Sequence, residues 1–324
     1  MANNNVYFSM GNTAVDEFLS SALSEYNPSI VDAIYTGIPA LRYLNSKDRI
    51  KKNAAGYSFV QPVRYAKNNT AAFISPTGTV SLQQQNNATS VQFKYRTLVD
   101  SIVLTDDEMD VTSDHQVYDL AESKAEDAKL AGMDLLAQAL FAAAPDTTTK
   151  IESFPTLIAT TGSIGDQSPT NNAWWQSTVT SSGSVAAQGV KDATTLYNTI
   201  SKSLMDPPDL GIMTQTAYES LEATMRGYAQ YDTVRDGSVD VGLPKGGLKF
   251  KGQTLFWDEN CTSGTWFMIN TNYLYLKVFP NADFKINPFI RPANQVLKAA
   301  IIRWKGALVC TNRARMGKLT GLTA

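Results

Sequence analysis

The stretch Asn68–Ser90 constrains the fold most, because it contains no charged residue and yet is too rich in Asn, Gln, Ser and Thr to form a core. Two segments with strand character flank it. Tyr57–Lys67 alternates aromatic and apolar residues with mostly polar ones, and Val91–Thr105 begins in the same way. Pro76-Thr77-Gly78, inside the stretch, is a turn signal. The pattern predicts a long β-hairpin with an uncharged polar tip.

The second strand of this hairpin changes character along its length. Its first half has the apolar residues Val91, Phe93 and Tyr95 on one face, which predicts that the other face is exposed. Its second half places Leu98, Ile102 and Leu104 on the formerly polar side, which predicts that both faces are mainly apolar there. Pro62, in the first strand, favours an edge or projecting strand. The hairpin is therefore expected to be rooted in a core and to project from it.

A long helix is predicted from His115 to Ala144, after the acidic cluster Asp106–Asp110. Pro145 would end the helix, since proline cannot continue it. Its expected contact face is rich in alanine, which suits close approach to a sheet: Val117, Leu120, Ala121, Ala128, Ala131, Leu135 and Ala139.

The remaining segments predict an α+β protein, with strands early and late and helices between them. An amino-terminal stretch from Thr13 to Leu44 has helical spacing that Asn27-Pro28 interrupts, which predicts an arm of short helices. A polar stretch and then a series of helices and strands follow: residues 153–190, helix 191–203, strand 210–214, helix 216–230, hairpin 242–260, and strands within 265–279 and 295–310.

Composition excludes several classes of protein. The formal charge of −2 provides no general attraction to nucleic acid or to an anionic membrane. No apolar run approaches the length of about 20 residues that a membrane helix needs, and MANNNVYFSM lacks the basic and then apolar signature of a signal peptide, so neither is expected. Cys261 and Cys310 are too few for a disulfide framework and fit a reducing compartment, which predicts synthesis in a cytoplasm.

Charge is distributed unevenly along the chain. Only acids precede Arg42, among them Asp16 and Glu17, and only bases follow Asp283, among them Arg313 and Arg315. Such ends attract each other within one chain or between neighbouring chains, whereas the alternative is a basic tail on a solvated face.

No catalytic constellation is found, so no catalytic residue, metal or cofactor is predicted. His115 is the only histidine, and the acidic cluster lacks the glycine of an EF-hand loop, so helix capping explains it better. Gly247–Thr254 has Gln253 where a phosphate loop needs lysine. Trp174-Trp175 could form a sugar platform or anchor a loop. A carboxylate-dependent glycan hydrolase or a carbohydrate-binding module therefore stays open as the alternative function.

The order of these parts resembles the major capsid protein of tailed bacteriophages, with the Hong Kong 97-type fold. Arm, projecting hairpin, long helix, polar insertion, strand–helix unit and late strands follow one another along nearly the whole chain. The segments that resemble the family locally are diffuse and lie in the last third of the chain: GIMTQTAYESLEATM (211–225), GGLKFKGQTLFWDEN (246–260), NTNYLYLKV (270–278) and QVLKAAIIRWKGALVCTNRARMGKL (295–319).

The resemblance implies a role for each part of the chain. Successive segments would be an amino-terminal arm, an extended loop that lies across a neighbouring subunit, a peripheral domain with a spine helix, an axial domain, and a return strand with the tail: 1–55, 56–110, 111–189, 190–292 and 293–324. Contacts between subunits are expected in the tip, the arm and the tail: Phe73, Ile74, Pro76, Val80, Leu82, Asp16, Glu17, Arg313 and Arg315.

The resemblance also implies an icosahedral shell around double-stranded DNA, built from pentamers and hexamers of this chain. Separate scaffolding, portal and decoration proteins would be its partners, packaged DNA would be touched without sequence specificity, and no membrane would be involved. Some relatives lock the shell through a lysine on the extended loop. Between Lys67 and Lys94 this chain has no charged residue, so a non-covalent shell is expected.

Overall fold

The computed structural model describes residues 33–80, 82–111, 114–143, 149–202, 205–226, 248–293 and 295–323. Within them, two larger β-sheets and a two-stranded hairpin combine with helices in an α+β arrangement. The predicted fold class is therefore confirmed.

The first sheet is organised around its longest strand, β12, which has 14 residues. β12 pairs antiparallel with β4 along its first part, from Leu297 opposite Thr105 to Gly306 opposite Arg96. Its last part pairs antiparallel with β10, and short strands complete the sheet. The strands are β1 (Ile50–Lys51), β4 (Arg96–Thr105), β10 (Leu274–Val278), β11 (Lys285–Ile286) and β12 (Leu297–Cys310).

A 28-residue helix, α3 (Asp114–Phe141), lies against β4. At 1.5 Å per residue it is about 42 Å long. Of the predicted alanine-rich face, Ala121 and Ala128 are buried, but Ala131 is exposed and the face differs towards the end of the helix. Leu136 and Leu140 are buried there, one residue beyond the predicted Leu135 and Ala139, and their neighbour Leu135 is exposed.

A short helix, α2 (Asp106–Val111), holds the acidic cluster and connects β4 with the long helix. Thr105 and Glu108 form reciprocal bonds at its start. The Thr105 amide donates to Glu108 Oε2 at 3.0 Å, and the Glu108 amide donates to Thr105 Oγ1 at 3.3 Å. This is a capping box, so helix capping explains the cluster as the sequence indicated.

The predicted hairpin is present as β2 (Ser58–Arg64) and β3 (Ala88–Lys94), paired antiparallel in a sheet of their own. Pro62 lies in β2, which has β3 on one side only, as expected for an edge strand. Val91, Phe93 and Tyr95 are buried on one face. Up to Tyr95 the odd-numbered residues form the buried face, whereas after Tyr95 the even-numbered residues form it. Val99, on the opposite face, is exposed. The prediction that both faces are apolar is therefore wrong for that part of β4.

The second sheet has the strand order β5-β13-β9-β6-β8-β7. Helices α4 (Val190–Ser201) and α5 (Gln215–Arg226) accompany it, and a separate apolar cluster fills the space between these elements. The strands are β5 (Thr178–Ser181), β6 (Leu210–Met213), β7 (Lys249–Phe250), β8 (Gln253–Trp257), β9 (Trp266–Ile269) and β13 (Gly317–Thr320).

The two sheets exchange chain segments, so neither matches the predicted unit 190–292. β5 and β13 lie outside that range and yet belong to the second sheet, whereas β10 lies inside it and belongs to the first. The end of the chain therefore returns to the second sheet through a parallel pair, in which Gly317 lies opposite Thr178.

The predicted amino-terminal arm lies only partly within the described residues, which begin at residue 33. From there the chain packs into its own core. Helix α1 (Pro39–Ser46) buries Leu41 and Leu44. The Tyr35 hydroxyl donates to Asp283 Oδ1 at 2.6 Å and accepts from the indole of Trp304 at 3.2 Å. This part of the predicted arm is therefore a fixed part of its own subunit.

Candidate assembly surface

The root of the hairpin rests on a turn of the polar insertion. The Gln92 amide on the outer edge of β3 donates to the carbonyl of Gly165 at 3.1 Å, and the Gln167 side chain donates to the carbonyl of Ser90 at 3.3 Å. Gly165 has a φ of +63°, and a Cβ built there would lie 2.0 Å from Cγ1 of Val91. Glycine is therefore required where the turn and the strand meet.

Two tryptophans of the insertion hold the hairpin and its supporting turn. The ring of Tyr65, just beyond β2, stacks on Trp174 with the centroids 5.4 Å apart. Trp175 is fully buried, and its indole donates to the carbonyl of Ile164 at 3.1 Å. Both rings therefore have structural roles in this chain, which confirms the loop-anchoring interpretation over a sugar platform.

Beyond Lys67 the hairpin continues as a tip without strand structure that spans residues 68–80 and 82–87 among those described. A turn closes its end, because the Gly78 amide donates to the carbonyl of Ser75 at 2.8 Å. Gln85 donates from its side chain to Asn69 Oδ1 at 2.7 Å and so ties the two arms together. Polar side chains therefore shape the tip, where an apolar core is lacking.

The predicted contact residues of the tip all face solvent in the single chain. Leu82 is 92 % exposed, Val80 64 % and Ile74 53 %, while Phe73 is fully exposed and Pro76 is exposed as well. Large apolar side chains grouped on one projection are a feature of binding surfaces. The structure thus brings these five residues together on one projection, and their contact with a neighbouring subunit stays a prediction.

The two arginines predicted in the tail are placed differently. Arg313 is 0 % exposed, and its guanidinium donates to the carbonyls of Leu157 at 2.7 Å, Ala159 at 2.9 Å and Thr156 at 3.2 Å. A side chain without accessible surface cannot contact a neighbouring subunit. The inter-subunit role predicted for Arg313 is therefore wrong.

Of the other residues predicted to contact a neighbouring subunit from the ends of the chain, only Arg315 lies within the described residues. Arg315 retains a small exposed fraction and donates to the carbonyl of Ile200 at 3.1 Å. Its Nε also lies 3.9 Å from Asp206 Oδ2. Asp16 and Glu17 lie outside the described residues. Lys298, another base of the tail, is buried in β12, so the basic tail is not simply a solvated face.

Ionisable groups elsewhere serve the fold. The Lys124 ammonium, 2.7 Å from Glu108 Oε2, holds the pKa of that carboxyl down at about 2, with help from the amide of Thr105. Burial raises the pKa of both thiols, Cys261 and Cys310, to about 12, which keeps them protonated and unreactive. Within the described ranges, no group of three His, Cys, Asp or Glu side chains is placed to hold a metal ion.

None of the helices among the described residues combines the length and the apolar character that a membrane crossing requires.

Solved capsid structures share the arrangement described above. The chain superposes on the cyanophage A-1(L) capsid asymmetric unit with a TM-score of 0.63 and 12 % identity, over 85 % of this chain and 91 % of that one. For the capsid of the empty GTA particle with C5 symmetry the TM-score is 0.57 at 11 % identity, over 85 % and 95 %. For the capsid of Myoviridae phage XM1 it is 0.51 at 12 % identity, over 86 % and 92 %.

No family model matches the sequence, and no curated protein matches it. The likeness is therefore one of fold. Over most of its length the chain has the α+β fold of tailed-phage capsid proteins, and the Hong Kong 97-type architecture that the resemblance predicted is confirmed.

Proposed function

We propose that this chain is the major capsid protein of a tailed bacteriophage, which assembles with copies of itself into the icosahedral shell around the double-stranded DNA genome. The supporting observation is a capsid-type fold that carries a projecting, uncharged hairpin tip with large apolar side chains exposed. The role is structural, and no glycan-processing activity is proposed, because both insertion tryptophans are engaged within the chain.

The physical basis of assembly is repetition of a modest contact. Covering a side chain such as Phe73 or Leu82 contributes about 1.5–3 kcal/mol. The tip presents several such groups, and a tip that reaches from each subunit to the next forms a heterologous contact, which generates rings when the rotation closes. Many weak contacts within a closed shell then add to a high avidity.

The same proposal assigns partners and a location. The chain would form pentamers and hexamers, work with separate scaffolding, portal and decoration proteins, and meet the packaged DNA without sequence readout. It would be made in the host cytoplasm and end in the virion. The tip contains no lysine, so the shell would be stabilised without a covalent bond from this loop.

Size-exclusion chromatography and negative-stain microscopy of the purified chain test the proposal. Pentamers, hexamers or closed particles tens of nanometres across are expected. A clean monomer that binds or cleaves glycans would instead support the alternative function.

A further inference from the structure

The first sheet has one face in the core and one open face, and the open face is basic. The even-numbered residues of β12, among them Ile302 and Trp304, are buried. Because side chains alternate along a strand, the odd-numbered residues lie on the other face. With their cross-strand partners on β1, β10 and β11 they form what we call the basic sheet face: Lys51, Lys277, Lys285, Arg303 and Lys305.

The basic sheet face brings like charges together. Lys285 lies opposite Arg303 where β11 pairs with β12, and Lys51 lies beside Lys277 where β1 pairs with β10. Like charges directly opposite each other across strands are destabilising. Burial and the charge of Lys51 lower the pKa of the Lys277 ammonium. The fold therefore carries an electrostatic cost on this face, which a bound anion would remove.

The positive charge of this face is scarcely balanced within the chain. Among the residues that the structure describes, only Lys51 of this face has a carboxylate at ion-pair distance, that of Asp48. Two of the other ammonium groups lie over aromatic rings, which holds them in place: Lys277 lies 5.0 Å from the ring centre of Phe59, and Lys305 lies 4.5 Å from that of Phe279.

The helix on the other side of the sheet has the opposite charge. The solvent side of α3 exposes four acids: Glu122, Glu126, Asp127 and Asp134. The two lysines of the helix, Lys124 and Lys129, are only partly exposed, and Lys124 is paired with Glu108. A polyanion is therefore repelled from the helix side of the subunit and attracted to the basic sheet face.

The size and charge density of the basic sheet face favour duplex DNA among the possible anions. Strand spacing and rise give the five bases an area of about 10 Å by 14 Å. Double-stranded DNA carries one negative charge per about 1.7 Å of its axis, so a duplex across this area presents several phosphates at once. The chain's own acidic segment, residues 1–32, has only four acids and cannot match that density: Asp16, Glu17, Glu25 and Asp32.

We propose that the basic sheet face binds the phosphate backbone of double-stranded DNA and is the inner face of the shell. This inference rests on the proposed function and deepens it, since it names the surface of the subunit that meets the packaged DNA. The sequence does not show this surface, because residues 285–305 lie far along the chain from Lys51 and only strand pairing brings them together.

The salt dependence of duplex binding tests the inference. A short fluorescent duplex of random sequence is titrated with the full-length chain at a series of sodium chloride concentrations, and the affinity is read from fluorescence anisotropy. Sedimentation velocity establishes that the chain is not closed into shells at the concentrations used. Lys285→Gln/Arg303→Gln removes two charges from the face. Lys191→Gln/Lys249→Gln removes two exposed charges elsewhere and is the matched control.

The expected result is a smaller salt dependence for the sheet-face variant alone. Each phosphate contact contributes about 0.9 to the slope of log K against log salt concentration. Lys285→Gln/Arg303→Gln should therefore lower the slope by about 1–2, and the control should leave it unchanged. The sheet-face variant should melt no lower than the parent, because it loses a pair of like charges. Lys51→Gln/Lys305→Gln replaces it if it does melt lower.

Three results separate the inference from the proposed function. Equal slopes for the two double variants, or no duplex binding by the parent at low salt, would overturn the inference alone. A peptide of residues 1–32 that binds the parent and not the sheet-face variant, with no change in the DNA slope, would assign the face to the acidic segment and also overturn it. A chain that binds DNA through this face but never forms oligomers would support the DNA surface and overturn the proposed function.

Discussion

Arg313 provides the sharpest test of how this fold is held together. Its guanidinium donates to three backbone carbonyls of residues 156–159 and lies 5.8 Å from the ring centre of Trp175. Arg313→Met retains much of the aliphatic bulk but deletes every guanidinium donor. The Thr156 carbonyl then loses this bond, while the carbonyls of Leu157 and Ala159 keep bonds from Ser177. Burial lowers the pKa of the guanidinium, so the native site already bears a desolvation cost.

The magnitude follows from these contacts. A hydrogen bond to a charged group contributes about 1.5–3 kcal/mol net, and three of them are not additive. An acceptor left without its donor in a buried place costs about 1–3 kcal/mol. We therefore expect Arg313→Met to lower the free energy of unfolding by about 2–3 kcal/mol.

The assay is guanidinium chloride unfolding followed by tryptophan fluorescence, on chains lacking residues 73–85 so that assembly does not contribute. Arg315→Met is the matched control. Arg315 makes one carbonyl bond and a distant ion pair, so its loss should cost about 1 kcal/mol. Equal effects of the two substitutions, or a loss below about 1 kcal/mol for Arg313→Met, would refute the reasoning.

Two further predictions concern the connection before the long helix and the root of the hairpin. The pKa of Glu108 falls from 4.5 to about 2 on folding, so the stability it contributes is complete above 4.5 and is lost as the pH falls towards 2. Glu108→Gln should therefore be less stable than the parent at neutral pH and should converge with it in acid, as measured by urea unfolding across that range. Glu122→Gln, at an exposed position of α3, is the control and should change the free energy of unfolding little at neutral pH. Tyr65→Leu removes the stack on Trp174, worth about 0.5–1.5 kcal/mol, and should speed hydrogen exchange in residues 88–94 while exchange in β12 is unchanged. Unchanged exchange in the hairpin would mean that the stack does not hold it.

The parts of the fold that sequence predicted well are those that local patterns determine. Alternation predicted the buried set Val91, Phe93 and Tyr95, and the pairing of β2 with β3 followed from it. The break at Pro76-Thr77-Gly78 predicted the closing turn, and the acidic cluster predicted a capped helix. In each case the physical cause lies within a few neighbouring residues.

The parts that sequence did not predict depend on partners far away in the chain. Leu135 and Leu136 are adjacent leucines in an alanine-rich helix, so only the neighbouring sheet decides which of them is buried. β13 pairs with β5, although β5 precedes and β13 follows all the other strands of the second sheet in the sequence. Arg313 reads as a tail charge until the carbonyls of residues 156–159 are placed around it.

In the proposed assembly the hairpin tip joins subunits and does not support the fold. Sedimentation velocity of the full-length chain and of a chain lacking residues 73–85, with circular dichroism of both, separates these two roles of the tip. Rings or closed particles are expected from the first chain, and a folded monomer with an unchanged spectrum from the second. A shortened chain that still assembles, or one that unfolds, would refute the proposed role of the tip.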